Sequence, residues 1–224
     1  MTRLLGLLAF CIFLAAPLHA AYHLELEAYP AAPFPYLAKF GTVGLHVYQG
    51  GVRADTVWLD GFSRNGSAGI TVLNPLARMY TDVPVSQIAS VLGRLGGAGD
   101  VERGAIAALG PKLSGSVAGI PATRHRIVYG PAAWIDVWTT AAVPENSQLR
   151  SIVNQLIGAI SPGTLQVWRS VPGTPVYVEL NFRRFRGVKL LALKKLTRTA
   201  DDEVAALGVG SFYVKAPIID SLWK

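Results

Sequence analysis

Apolar and polar positions alternate along much of this chain, and that period of two predicts strands. Val43, Leu45 and Val47 alternate against His46 and Tyr48, and Gly50-Gly51 turns the chain. Val52 to Asp60 alternates again and ends at Gly61, after which Ser63-Arg64-Asn65-Gly66-Ser67 has the chemistry of a hairpin turn. Another strand begins at Ile70 and stops at Asn74-Pro75. Thr123 to Tyr129 precedes a Gly130-Pro131 turn, and Trp134 to Thr140 sets Trp134, Asp136 and Trp138 against Ile135 and Val137. The stretch from Leu165 to Leu196 reads as three successive strands, the first two joined through Pro172-Gly173-Thr174-Pro175. A last strand is expected around Ser211 to Val214, after a short helical or coil piece from Asp201 to Leu207.

Two stretches follow the helical period instead. In one, Thr81 or Asp82 serves as cap, Pro84 stands in the first turn, and Val85, Ile88, Ala89, Leu92 and Leu95 recur at helical spacing before Gly96-Gly97. In the other, Asn146 or Ser147 is the cap. Leu149, Ile152, Val153, Leu156, Ile157 and Ile160 form one apolar stripe, and Ser161-Pro162-Gly163 stops it. Amphipathic helices among antiparallel strands predict an α+β fold: a curved antiparallel sheet, an incomplete barrel, covering two or three helices.

The N-terminus changes the picture of where this domain works. Arg3, the apolar run from Leu4 to Leu14 and the small residues around Pro17-Leu18-His19-Ala20-Ala21 predict a cleaved signal peptide over residues 1–20. The run is short for a membrane span, which takes about 20 residues. Cys11 is preceded by Phe10 rather than a small residue, which argues against lipidation, and it is the one cysteine of the chain. The mature chain is therefore expected in the periplasm, without disulfides, held together by its core. Residues 21–40 are expected to be an extended N-terminal segment, with a proline-rich lead-in from Ala28 to Pro35, and residues 41–224 a single half-barrel domain. Charged residues make up 16% of the chain and the formal net charge is +7, which favours one folded domain over a disordered polyelectrolyte.

Several short motifs carry a resemblance. They are Gly119-Ile120-Pro121-Ala122-Thr123-Arg124-His125-Arg126, Val137-Trp138-Thr139-Thr140, Pro175-Val176-Tyr177-Val178-Glu179-Leu180 and Phe212-Tyr213-Val214-Lys215-Ala216-Pro217. Their order, after a strand-rich N-terminal half and a helix, resembles uncharacterised exported domains related to the LolA/LolB lipoprotein-carrier superfamily. The resemblance covers residues 45–217. It implies an incomplete barrel wrapped around helices, with an apolar cavity that in the carriers holds acyl chains.

The candidate chemistry is sparse. There is no nucleophile elbow, Walker loop or dinucleotide fingerprint, and the glycines from Gly93 to Gly99 close a helix rather than open one. No enzyme activity and no cofactor are expected. Trp58, Trp138 and Trp168, with Ile152 and Leu156, are candidate lining residues for a hydrophobic small molecule, a lipid or a lipoprotein's acyl chain. They would equally fill a core. Arg183, Arg184 and Arg186, with Lys194 and Lys195, belong to a run free of acids between Arg183 and Arg198. An anionic membrane surface is the candidate partner there, and nucleic acid is not expected; the plainer reading is a solvated strand guarded by bases. Asp136 is expected at a cavity rim or on an outward face. His23 is a candidate metal ligand: cleavage after Ala20 would place an amine, two amide nitrogens and an imidazole in one plane, as Cu(II) and Ni(II) prefer. Otherwise His23 belongs to a frayed terminus.

Overall fold

The computed structural model describes residues 21–29, 41–88, 107–182, 185–200 and 202–217. The elements in chain order are β1 (Ala21–Ala28), β2 (Thr42–Val47), β3 (Gly51–Asp55), β4 (Asp60–Arg64), β5 (Gly69–Asn74) and β6 (Met79–Pro84). Then come β7 (Ala108–Leu109), β8 (Leu113–Val117), β9 (Ile120–Gly130), β10 (Ala133–Thr140), α1 (Ser147–Ile160) and α2 (Pro162–Trp168). The chain closes with β11 (Thr174–Phe182), β12 (Phe185–Thr199), α3 (Glu203–Ala206) and β13 (Val214–Lys215).

The strands form one 13-stranded sheet in the order β13-β6-β5-β4-β3-β2-β1-β12-β11-β10-β9-β7, with β8 also on β9. Its ends do not meet, so the fold is the expected α+β incomplete barrel. The pairings are antiparallel except that of β13 with β6.

β1 departs most from the sequence reading. Ala21 to Ala28, expected as an extended segment ahead of the domain, is a central strand of it, paired with β2 on one side and β12 on the other. Leu24 is fully buried, and Tyr22, Leu24 and Leu26 alternate inward against His23, Glu25 and Glu27. The signal peptide, Cys11 and residues 30–40 of the expected extended segment lie outside the described residues.

Three further expectations are corrected. The strand read from Val52 to Asp60 is a hairpin, β3 and β4 around residues 56–59. Thr56 builds its turn without glycine or proline: Oγ1 donates to the Leu59 carbonyl at 2.7 Å and accepts from Leu59 N at 3.0 Å. The strand read from Leu165 to Val171 is instead α2. Ser161 closes α1 and also caps α2, accepting from Thr164 N, with Pro162 next in the first turn. The buried residues Thr164 and Trp168 are then one helical turn apart. Thr81 to Pro84 belong to β6, where Thr81 and Val83 are buried and Asp82 and Pro84 exposed; helical backbone begins only at residue 85. The rest of that helix, beyond residue 88, lies outside the described residues.

The two faces of the sheet are covered differently. On one face, α1 sets Leu149, Ile152 and Leu156 against Val52 and Ile70, and Val153 and Ile157 against Ile127 and Val137. On the other, the segment after β12 packs Leu207 and Tyr213 over Tyr48, Phe62 and Leu73. A third cluster joins Tyr22, Leu24, Leu26, Val47 and Leu193.

Candidate functional site

Helix α1 is fastened to the sheet at its start. Asn146 Oδ1 accepts from Leu149 N at 2.9 Å as the N-cap, while its Nδ2 donates to the carbonyls of Tyr48 at 2.9 Å and Gly51 at 3.3 Å. Gln148 Nε2 donates to Ser63 Oγ and to the Ser67 carbonyl, both at 2.8 Å. Arg150 ties α1 to α2: its guanidinium lies 5.0 Å from the centre of the Trp168 ring and donates to the carbonyls of Arg169 and Val171. A crevice of about 20 Å³ opens there, lined in part by Glu145, Arg150, Val153, Trp168 and Thr174. That is room for a water molecule.

Beneath the helices the apolar face holds polar atoms without partners. His125 on β9 is 1% exposed, and neither ring nitrogen has a hydrogen-bond partner among the described residues. Burial, with Lys112 nearby, pushes the His125 imidazole below its usual value. His125 pairs in register with Val137, so it shares the face of Val137, Ile127 and Trp168. Asn154 Oδ1 on α1 and Trp168 Nε1 on α2 are also buried and without partners among the described residues. In contrast, Tyr129 and Thr164 bond each other at 2.6 Å.

The expected lining residues do not converge on one cavity. Trp58 sits in the β3–β4 turn and is 50% exposed, because the alternation that placed it on a strand is broken at Thr56. Trp138 lies on β10 next to Val137 and therefore points to the opposite face; it packs by Gly115, where an added Cβ would stand 2.8 Å from its ring. Trp168, Ile152 and Leu156 lie on the helix-bearing side, in two adjoining clusters. From the sequence, Arg124, His125 and Arg126 read as bases at a solvated rim; His125 is instead buried, and Asn154 carries no signal of its own. A histidine between Thr123 and Ile127 on one strand face was the available signal.

Asp136 lies on the face away from the helices. It is 6% exposed and accepts from Arg126 Nε and Nη2, each at 2.8 Å, and from Trp134 Nε1 at 3.2 Å. Arg126 thus neutralises this carboxylate, and Arg124 Nε, on the other side of His125, lies 3.9 Å from Asp136 Oδ1. Part of the basic run is neutralised too: Lys194 pairs with Glu27, and Lys195 stands opposite Glu25 in the β1–β12 register. Arg186 is exposed, and Arg183 and Arg184 lie outside the described residues.

His23 belongs to an ionic cluster on the face that carries α3. Its ring stacks on His46 with centroids 4.2 Å apart and planes 6° apart. His46 Nε2 lies 3.0 Å from Asp55 Oδ2. Arg53 donates to Asp55 at 2.6 Å, Asp60 at 2.8 Å and the Ala206 carbonyl at 3.1 Å, so it anchors the C-terminal segment. Burial pushes the Asp55 carboxyl up, but the bonds from His46 and Arg53 outweigh it and leave it below its usual value. Asp60 is raised, by burial and by Asp55 beside it.

Imidazole lone pairs lie in the ring plane, and two parallel planes cannot both contain one ion. No group of three or more His, Cys, Asp or Glu among the described residues is placed to hold a metal. The planar chelate imagined at the N-terminus would need the amides of Tyr22 and His23, which lie in a strand paired on both sides.

No protein-family model matches the chain, and no curated protein matches it. A solved structure of an uncharacterised conserved protein from Thermus thermophilus aligns with 88% of this chain and 91% of that one, at 8% identity and a TM-score of 0.44. None of these comparisons links the chain to the lipoprotein carriers.

Proposed function

We propose that this chain is a non-catalytic, exported binding protein of the periplasm. In this reading it takes an apolar ligand, or the acyl chain of a lipidated partner, on the helix-bearing side of its sheet. The supporting observation is a set of buried polar atoms without a hydrogen-bond partner among the described residues: both ring nitrogens of His125 on that face, Trp168 Nε1 on α2 and Asn154 Oδ1 on α1. Buried polar groups are nearly always bonded, and one left alone costs about 1–3 kcal/mol. An apolar wall with a few unsatisfied polar atoms suits a ligand with a greasy body and a polar head. Trp168 Nε1 offers a donor, Asn154 Oδ1 an acceptor, and neutral His125 one of each.

Displacement of a fluorescent fatty acid, with native mass spectrometry of protein isolated from cell envelopes, tests this. Saturable uptake and a co-purifying lipid are expected. His125→Phe should weaken uptake about threefold to tenfold, as loss of one hydrogen bond would. Absence of both saturable uptake and bound lipid would end the proposal.

A further inference from the structure

β8 is an edge strand paired on one side only among the described residues, and its phase follows from one proline. In an antiparallel pair, opposed residues either exchange both backbone bonds or point both groups away. Pro121, opposite Ser116, has no N–H, and its carbonyl accepts from Thr140 Oγ1 at 2.8 Å on the side of β10. Ser116 and Pro121 are therefore a pair that does not exchange bonds. By alternation, so are Ser114 and Thr123. The N–H and C=O groups of Ser114 and Ser116 consequently face outward along the free side of β8, and both residues are exposed.

Edges of this kind are normally guarded by lysine, proline or a bulge. From Leu113 to Gly119, LSGSVAG, there is no charge and no proline, and the β8–β9 register runs without a shift. Leu113 is 48% exposed.

We infer that β8 is a self-association edge, and that its occupant is β8 of a second copy of this chain, antiparallel about a two-fold axis at Gly115. The sequence is complementary to itself in that register. Ser114 meets Ser116 of the copy, and the outward groups of both residues are matched, giving four backbone hydrogen bonds across the axis. Leu113 meets Val117 of the copy on the face where Gly115 lies against Trp138. The nearest base, Lys112 just before the strand, falls opposite Ala118 rather than opposite another lysine. The two-fold makes the contact isologous and closed, so it yields a dimer rather than a fibre. A contact this short belongs with weak, transient interfaces, so the dimer forms at high protein concentration.

Sedimentation velocity of the full chain across a concentration series is the first test. A concentration-dependent dimer is expected. Ser114→Pro and Ser116→Pro should each abolish it while leaving the monomer's thermal melt near that of the parent, because neither N–H is used in the β8–β9 pair. Ser116→Lys retains the N–H but sets a charge at the axis, and should also lose the dimer. Disulfide trapping in a Cys11→Ser background tests the register. Ser114→Cys mixed with Ser116→Cys should cross-link, the opposed Cα atoms being about 5.5 Å apart, within disulfide reach. Either variant alone should not. A chain that stays monomeric at every concentration, a dimer indifferent to both proline variants, or a single cysteine variant that cross-links to itself would each overturn the inference.

Discussion

Asn146 carries more of the fold than a helix cap ordinarily does, and its replacement has a calculable cost. Asn146→Ala removes the side-chain oxygen that accepts from Leu149 N, a loss of about 1 kcal/mol for a cap of this kind. It also removes the amide that donates to the Tyr48 and Gly51 carbonyls, at 2.9 and 3.3 Å. Each buried bond contributes roughly 0.5–1.5 kcal/mol, the longer one least. Because Asn146 is only 7% exposed, water would not readily replace it. The expected total is about 2–3 kcal/mol, or a fall in Tm of roughly 5–10 °C for a chain of this size. Asn146→Ser retains a capping oxygen but is too short to reach β2 and β3, so it should recover about 1 kcal/mol of the loss. Thermal unfolding followed by circular dichroism measures all three proteins. A loss under about 0.5 kcal/mol for Asn146→Ala, or a serine variant no better than alanine, would refute the double role.

Gly51→Ala should destabilise by about 3 kcal/mol in denaturant unfolding, since the new Cβ would lie 2.4 Å from the Ser63 carbonyl oxygen, a backbone atom that cannot swing aside. The depressed carboxyl of Asp55 favours the folded state above the ordinary carboxylate value of about 3.9, and that contribution is lost as pH falls through its lower folded value. Asp55→Asn should therefore melt earlier than the parent at neutral pH, with the gap closing in acid; a gap unchanged down to about pH 2 would contradict the ion-pair account. His125 behaves with the opposite sign. Its folded value lies below that of the unfolded chain, so the unfolded state takes up a proton first and the parent should lose stability as pH drops below about 6.5. His125→Leu should abolish that part of the acid loss, and parallel melts at neutral and mildly acidic pH would reveal it.

The legible parts of this protein were those whose signals lie close together in the chain. The β4–β5 hairpin at Asn65-Gly66, the strands β9 and β10, and the stripe of α1 behind Asn146 each follow from a few neighbouring residues. The misread parts are places where one string fits two periods. In LQVWRSV the alternation of Leu165, Val167 and Arg169 competes with the helical face of Thr164, Leu165 and Trp168, and Ser161-Pro162 both ends one helix and starts the next. At Thr56 a side chain does the turning that glycine or proline would have announced.

By itself the chain determined its class, the existence of most strands and the alternation of apolar positions on each, since propensity, caps and side-chain period act over one or two turns of backbone. Only the tertiary structure decided that Ala21 pairs with Thr199, that His23 stacks on His46 and His46 meets Asp55, and that His125 is buried without a partner among the described residues. Backbone hydrogen bonds carry no residue identity, so any strand can pair with any other. What selects among the pairings is burial of both faces at once, and that depends on residues far apart in the chain.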